Sequence, residues 1–516
     1  MSRSSSTADL MWQRLFKRLD GIAPTRQGQL RDTLVQSIMD GFLQPGSPVP
    51  SSRMLAETLG LSRTTVTLAL EALVDQGFLI AKPRSGFFVA EVTPTGVAPA
   101  DVTAKGRETG ESMSLGEARQ NHWDARLQIT PSSQQNIEKP RDWQQQPYPF
   151  VFGQFDATQF PFRNWRRCIL ETIEARSVRT WAPDHLDRDD PSLIEQIHSR
   201  LLPARGIWVE REQILVTSGA QQGLFLLAQL LVGTHTHVGL ETPGYPDARN
   251  NFALRTPHLH DLDIDQDGLI PSEKVNGCDY VFVTPSHQCP TTVTMSMSRR
   301  AALLQLANQH DFVLIEDDHE SELNFSSRPT PALKSLDTNE RVIYLGSLSK
   351  TLAHGLRLGF IVAPATLIRE LRALRRLMMR HIPSNNQQVA ALFVAHGFHE
   401  AHVRNLVKTY RERSLTLRNA LTRYAPELQF VPAKGGSALW VTGPAWLDTK
   451  RLAAELYHAG VVVEPGTFFF PKGSGPCPSM RVGYSSIPAD QIESGIRVLA
   501  THIKRSAQHD QCETDT

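Results

Sequence analysis

The chain is poor in cysteine: Cys168, Cys278, Cys289, Cys477 and Cys512 are the only five in 516 residues, and none lies at a short paired spacing from another. That excludes a disulfide framework and a cysteine-based zinc site, so ordinary thiols and no metal are expected. Long hydrophobic runs are missing as well, and Met1 is followed by the polar run Ser2, Arg3, Ser4, Ser5 and Ser6. Neither a membrane span nor a signal-peptide core is predicted, and the expected location is cytoplasmic. A surplus of charge of one sign is also absent. The net charge of +1 gives no whole-chain indication of nucleic acid, and residues 1–90, with ten Lys/Arg against seven Asp/Glu, carry only a mild basic excess. No repeat of solenoid period is present.

What is there is length, and a change of texture along it. A chain of 516 residues exceeds one ordinary core, so two or more domains are expected. Residues 91–146 lose apolar periodicity and gain Pro, Thr, Gly, Gln and Ser, as in Val92-Thr93-Pro94-Thr95-Gly96 and Pro131-Ser132-Ser133-Gln134-Gln135; they read as a flexible linker. This leaves a head at 22–90 and a large domain at 147–505. In the large domain short apolar runs such as Ile214-Leu215-Val216-Thr217, Val281-Phe282-Val283 and Val313-Leu314-Ile315 alternate with amphipathic stretches, which predicts an α/β domain with a largely parallel sheet.

In the head, Leu30, Leu34 and Ile38 make one helical stripe ending near Gly41. Pro50-Ser51-Ser52 begins a short helix that Gly60 breaks, and Ser62 is placed to cap a third. Val66, Leu70, Leu73 and Val74 form the buried face of that third helix, which turns Arg63, Thr64 and Thr67 outward as groove readers. Leu79-Ile80-Ala81 and Phe87-Phe88-Val89 flank Pro83-Arg84-Ser85-Gly86, a wing with a basic turn. Periodicity alone would equally suit a small helical oligomerisation module. The landmarks from Leu43-Gln44-Pro45-Gly46 through Pro50-Ser51-Ser52-Arg53 and Leu59-Gly60-Leu61-Ser62-Arg63-Thr64-Thr65-Val66 to Gly77-Phe78-Leu79 closely resemble the DNA-binding domain of GntR-type repressors. That resemblance implies DNA contacts for Ser52, Arg53, Arg63, Thr64 and Thr65, with Arg84 and Gly86 on the wing.

The large domain carries Ser347-Leu348-Ser349-Lys350 after an apolar run, with Arg357 and Gly359 close behind. A desolvated lysine at a strand end can hold pyridoxal 5'-phosphate as a Schiff base, while hydroxyls and a guanidinium bind the phosphate. A Ser-x-Ser-Lys run by itself describes many surface lysines, so its companions matter. Asp317 ends a strand and could pair with the pyridine nitrogen. Thr217-Ser218-Gly219-Ala220-Gln221 joins strand to helix and aims backbone N–H groups at an anion. Tyr245, in the turn Pro243-Gly244-Tyr245-Pro246, could lie on the ring. Each has a structural alternative, respectively an N-cap, a plain glycine turn and a core tyrosine.

Together, and in this order, these segments resemble a fold-type I aminotransferase from about Pro147 to Arg505, and the fusion to a GntR-type head resembles the MocR subfamily. The matching segments include Thr284-Pro285-Ser286-His287-Gln288, Ile315-Glu316-Asp317-Asp318, Gly346-Ser347-Leu348-Ser349-Lys350-Thr351-Leu352 and Gly355-Leu356-Arg357-Leu358-Gly359. The implied fold class is multidomain: a mainly α winged helix-turn-helix, then an α/β transferase domain with a small C-terminal α+β subdomain. By that similarity Lys350 carries the internal aldimine, Asp317 meets the ring nitrogen and Tyr245 stacks. Ser347, Ser349 and Arg357 join Ala220 and Gln221 at the phosphate, and Arg481 takes an effector carboxylate. His319 stands where relatives have a tyrosine, which rewires the ring hydroxyl's hydrogen bonding or makes it pH-sensitive. Thr292 replaces a common glycine, Ala438 a common histidine, and Asp184-His185-Leu186-Asp187 a tyrosine-glycine step.

The expected function is a transcription regulator that binds a double-stranded DNA operator and no membrane, and whose aminotransferase-like domain senses a small amine or amino acid through external aldimine formation, with at most residual transaminase activity. The resemblance implies a homodimer. The alternatives are a working aminotransferase with a fused interaction module and a scaffold that never binds the cofactor.

Overall fold

The computed structural model describes residues 25–83, 85–91, 123–154, 156–326 and 330–514, with side chains through 508. The chain forms two compact units, Met1–Arg126 and Leu127–Thr516.

In the first unit helices α1 (Arg26–Met39), α2 (Ser52–Leu59) and α3 (Arg63–Asp75) precede a hairpin of β1 (Leu79–Lys82) and β2 (Gly86–Val89). Hydroxyl caps set the helix starts: Ser51 accepts from Met54 N at 3.3 Å and Ser62 from Thr65 N at 3.0 Å. Gly60 takes φ 67° and ends α2, so the turn into α3 is tight. Leu30 and Leu34 of α1, Leu55 of α2 and Val66, Ala69, Leu70 and Leu73 of α3 are fully buried together. Leu79 and Val89, paired across the hairpin, complete this core. The wing turn is only partly described, because Arg84 lies outside the described residues.

The second unit is built on an eight-stranded sheet of β3 (Ile214–Thr217), β4 (Val238–Thr242), β5 (Leu259–Asp265), β6 (Gly268–Leu269), β7 (Tyr280–Val283), β8 (Val313–Asp317), β9 (Val342–Ser347) and β10 (Gly359–Val362). Its spatial order is β3-β10-β9-β8-β7-β4-β5-β6. The five strands from β9 to β5 run parallel, β10 is antiparallel to both its neighbours, and β6 closes a hairpin on β5. The central strands are buried at all but one position each, β7 at its last three residues, β8 from its second residue on and β9 up to Gly346, as expected for a sheet covered on both faces. A smaller antiparallel sheet follows, made of β11 (Gln429–Phe430), β12 (Ala438–Thr442), β13 (Glu464–Pro465) and β14 (Ser479–Gly483) in the order β11-β12-β14-β13. Its Val441, Met480 and Val482 share a core with Leu417 and Leu421 of helix Phe398–Tyr424 and Ile492 and Ile496 of helix Ala489–Thr514.

The stretch read as linker contains more order than its composition suggested. Gln134 and Gln135 donate their side-chain amides to Asn250 O (3.0 Å) and Thr467 O (2.6 Å), and Tyr457 donates its hydroxyl to Asp142 at 2.8 Å. Polar side chains, not an apolar stripe, tie this segment down, which is why hydropathy gives no sign of it. Among the described residues no helix is long and apolar enough to cross a membrane.

Because the head has its own small core, Leu70→Ala should destabilise it by about 2–5 kcal/mol. Differential scanning calorimetry of the full chain should show the head's transition move down while that of the large unit stays in place.

Candidate functional site

The carboxyl ends of the parallel strands gather the chemistry on one side of the sheet, where open α/β sheets place their ligands. Thr217 ends β3 and leads through Ser218 into the helix Gly219–Leu231, so Ala220 and Gln221 lie in that helix's first turn, where backbone N–H groups have no acceptor within the helix and suit an anion. Tyr245 follows β4 and sits at the N-cap of helix Pro246–Ala253; its hydroxyl donates to Asp247 (2.9 Å) and Gln221 Oε1 (3.2 Å). Asp317 is the last residue of β8 and Ser347 the last of β9. Arg357, at φ 49°, precedes β10 and donates to Ser218 O at 3.3 Å.

Ala220, Gln221, Tyr245, Asp317, Ser347 and Arg357 line one cavity of about 430 Å³ together with Ser349, Lys350, His319 and Arg481. All ten residues that the sequence assigned to cofactor or effector thus share its wall. Ser349 does so with its hydroxyl engaged, accepting from Leu358 N (3.1 Å) and donating to Leu358 O (3.2 Å). Phe152, Lys139, Asn136, Ile137, Asp247, Cys289 and His354 also face the cavity, and none was picked out from the sequence. Lys139 and its neighbours were hidden in the low-complexity stretch. A readable signal existed for Glu464, which interrupts the apolar run Val461-Val462-Val463 and pairs across the strands with Arg481.

Close packing shapes the anion end. A Cβ on Gly219 (φ 74°) would lie 3.0 Å from the Arg357 guanidinium, and one on Gly359 would lie 2.8 Å from both Gly219 C and Gly346 O. Only glycine allows the three segments to meet there.

The electrostatics divide the cavity. Burial raises the Asp317 carboxyl to about 7, with Lys350 opposing and Asp318 adding to the rise. Asp317 Oδ1 has no hydrogen-bond partner among the described residues. Burial likewise pulls the Lys350 ammonium below its ordinary value, with Glu320 working against it and Arg481 reinforcing it. Three imidazoles nearby are held neutral by burial, His319 and His354 at about 3 and His287 at about 4. His319 therefore does not titrate near neutral pH, and of the two effects expected of it only an altered hydrogen-bonding pattern is compatible with this environment. Asp318 behaves oppositely to its neighbour. Its carboxyl drops to about 2 because, against burial, Arg205 grips it at 2.7 and 3.2 Å and Ser286 and Tyr344 also donate to it. It braces the strand end from behind. Arg481 is 2% exposed, donates from Nε to Glu464 at 2.6 Å, and lies over the rings of Phe152 (3.8 Å) and Phe469 (4.6 Å). Of the departures, Thr292 takes φ 63°, a conformation that explains the glycine common at that position, and Ala438 is buried at the start of β12.

In the first unit Arg53, Arg63 and Thr64 are exposed and Ser52, Thr65 and Thr67 half-buried. Arg53 pairs with Glu57 at 3.1 Å, and the Thr65 hydroxyl lies 2.8 Å from that of Ser62. Gly86, at φ 96°, has open space around it.

The fold is that of a pyridoxal-phosphate-dependent transferase joined to a winged helix-turn-helix. Residues 154–499 match the family described as aminotransferase class I and II, and residues 26–89 match the bacterial regulatory proteins of the gntR family. The chain is 37% identical to the HTH-type transcriptional regulator TauR of Rhodobacter capsulatus, over 94% of this chain and 98% of that one. It is 33% identical to the probable rhizopine catabolism regulatory protein MocR of Rhizobium meliloti, over 91% and 92% of the two chains. A crystal structure of Pyrococcus horikoshii kynurenine aminotransferase superposes with a TM-score of 0.65 at 28% identity, covering 79% of this chain and 98% of the other. The chain belongs to the MocR subfamily of GntR-type transcription regulators, in which a DNA-binding head is fused to an aminotransferase-like domain.

Pyridoxal 5'-phosphate is the cofactor of that domain. The residues present fit it: a buried carboxylate with one oxygen left without a partner, a helix N-terminus with an arginine beside it, and a lysine, all on one cavity wall.

Because the Asp317 carboxyl is raised in the folded state from an ordinary value near 3.8, the cofactor-free protein holds a proton there between about pH 4 and 7. The group costs stability as pH rises through that window, and the full cost is present above about 7. Asp317→Asn should therefore melt higher than the wild type at pH 8 without cofactor, with the gap closing toward pH 4. Added pyridoxal phosphate should raise the wild-type melting temperature more than the variant's.

Proposed function

We propose that the protein is an amine-responsive regulator in which the cavity at Lys350 binds a small amine or amino acid and thereby changes how the head holds its operator. The observation that carries this reading is the convergence of Lys350, Asp317, Arg357 and Arg481 on one cavity in a chain that also has a DNA-reading head. When bound, pyridoxal phosphate supplies a carbonyl carbon that can be shared between a lysine and an incoming amine. Lys350 is the covalent anchor, and burial disfavours the charged form of its amine. Asp317 holds a proton on the ring nitrogen. Tyr245 covers the ring face, with its hydroxyl fixed by Asp247 and Gln221. Ala220, Gln221, Ser347, Ser349 and Arg357 hold the phosphate, and neutral His319 lies beside Asp317 with its Nδ1 3.9 Å from the carboxylate. Arg481 orients an acid group on the effector.

In the head, Arg63, Thr64 and Thr67 at the start of α3 read the major groove, Ser52, Arg53 and Thr65 hold phosphates, and Arg84 with Gly86 forms the wing contact. A homodimer suits this reading. Helix Phe162–Thr172 leaves Phe162 (63%), Ile169 (41%) and Leu170 (49%) exposed, an apolar face of the kind that subunits cover. An operator in chromosomal DNA places the work in the cytoplasm. A second reading, a working aminotransferase, draws on the same Lys350 and Asp317.

The test is the visible absorbance of the full protein with added pyridoxal phosphate, wild type beside Lys350→Ala, titrated with amines while DNA binding is followed by fluorescence anisotropy. A band absent from the variant and an amine-dependent change in DNA affinity are expected. Sustained keto-acid formation at about 1 per second or more, without any effect on DNA, would favour the enzyme reading. In the same assay Arg63→Ala should weaken operator binding by about 1–3 kcal/mol.

A further inference from the structure

The segment just before the aminotransferase match carries a cation into the cavity. It is pinned upstream where Asn250 Nδ2 donates to Gln135 O (2.9 Å) and Asn136 Oδ1 (2.8 Å), and downstream where Tyr457 holds Asp142. Between these anchors Lys139 Nζ donates to Phe152 O at 3.3 Å and stands 3.5 Å from Glu464 Oε1. Glu464 is 1% exposed and already bound through its other oxygen to Arg481 at 2.6 Å. Two cations therefore share one buried carboxylate. Of the acids that line the cavity, Asp247 is engaged by the Tyr245 hydroxyl and Asp317 serves the cofactor ring, as the remaining cavity cations, Lys350 and Arg357, serve the cofactor's other groups.

An unbalanced cation in a partly buried wall is costly, and an anion placed between the two removes the cost. Burial holds the Lys139 ammonium below its ordinary value, with Glu464 as the main opposing influence. Arg481 has little freedom, being clamped by Glu464, Phe152 and Phe469. Lys139 is held by longer contacts on a flexible stem and can turn toward a ligand.

We propose that Lys139 is a second cation that reads an acid group on the effector, so that the site selects amines carrying an anionic group over simple amines. The inference rests on the reading of this cavity as an effector site. Its residue lies outside the matched aminotransferase segment, on the stretch of chain that leads back toward the head.

The experiment uses the full-length protein loaded with pyridoxal phosphate and follows the cofactor's visible spectrum. Wild type, Lys139→Gln and Lys139→Arg are each titrated with L-alanine, β-alanine and ethylamine, the last lacking the acid. The wild type should respond to one of the two amino acids at a concentration about tenfold or more below that needed for ethylamine, a preference of about 1.4 kcal/mol. Lys139→Gln should lose most of that preference through a weaker amino-acid response, and Lys139→Arg should keep it. If Lys139→Gln weakens both ligand types alike, or neither, Lys139 is only a structural partner of Glu464 and the proposal fails. Loss of the preference in Lys139→Arg would overturn it too, and that variant decides the matter if the glutamine protein does not fold. A wild type whose cofactor spectrum ignores every amine would overturn the effector reading itself, which is a different result from an intact amine response with no role for Lys139.

Discussion

Everything in the large unit's cavity depends on how closely three backbone segments meet at its anion end. Gly219, Gly346 and Gly359 come together where the strand β3 turns into a helix, where β9 ends and where β10 begins. Gly359 lies opposite Thr217 on one side and Ser347 on the other, so β10 stitches two strand ends into one rim. That contact brings Arg357 against the first turn of the helix and sets Ser347 and Lys350 across from it. A side chain at any of the three glycines would meet a neighbouring segment or ring, and the helix N-terminus, the arginine and the lysine would no longer share a wall.

Beyond this rim the cavity is organised by which charges are paired. Asp318 is satisfied three times over and stays ionised, whereas adjacent Asp317 is buried and raised, with its Oδ1 left without a partner. One carboxylate braces the sheet and the next is left for a ligand, a division that follows from the alternating direction of side chains along a strand. The neutral histidines keep further positive charge away from Lys350. Lys139 and Arg481, which share Glu464, add positive charge to the cavity wall beyond that of Arg357 and the helix N-terminus.

The resemblance of the chain's motifs to known families was legible because those motifs are local. A strand-glycine-helix junction, a Ser-x-Ser-Lys run and a capped helix pair are each written within a few residues, and their chemistry requires those residue types at those spacings. The order β3 to β9 was readable in outline from apolar runs, but the antiparallel insertion of β10 between β3 and β9 was not, since register and neighbour choice involve residues more than a hundred positions apart. Glu464 and Arg481 illustrate the same limit: their pairing is a cross-strand contact, invisible until the small sheet is assembled.

The sequence by itself determined that a winged helix-turn-helix precedes an aminotransferase-like α/β domain, together with the helix caps of the head, because these are consequences of short-range sterics, hydrogen bonding and periodicity. Only the tertiary structure decided that Lys139 enters the cavity, that His319 is neutral, that Asp317 keeps one oxygen without a partner while Asp318 is fully engaged, and that Arg481 is clamped between two rings. Burial and long-range pairing set each of these properties, and neither exists until distant segments have packed.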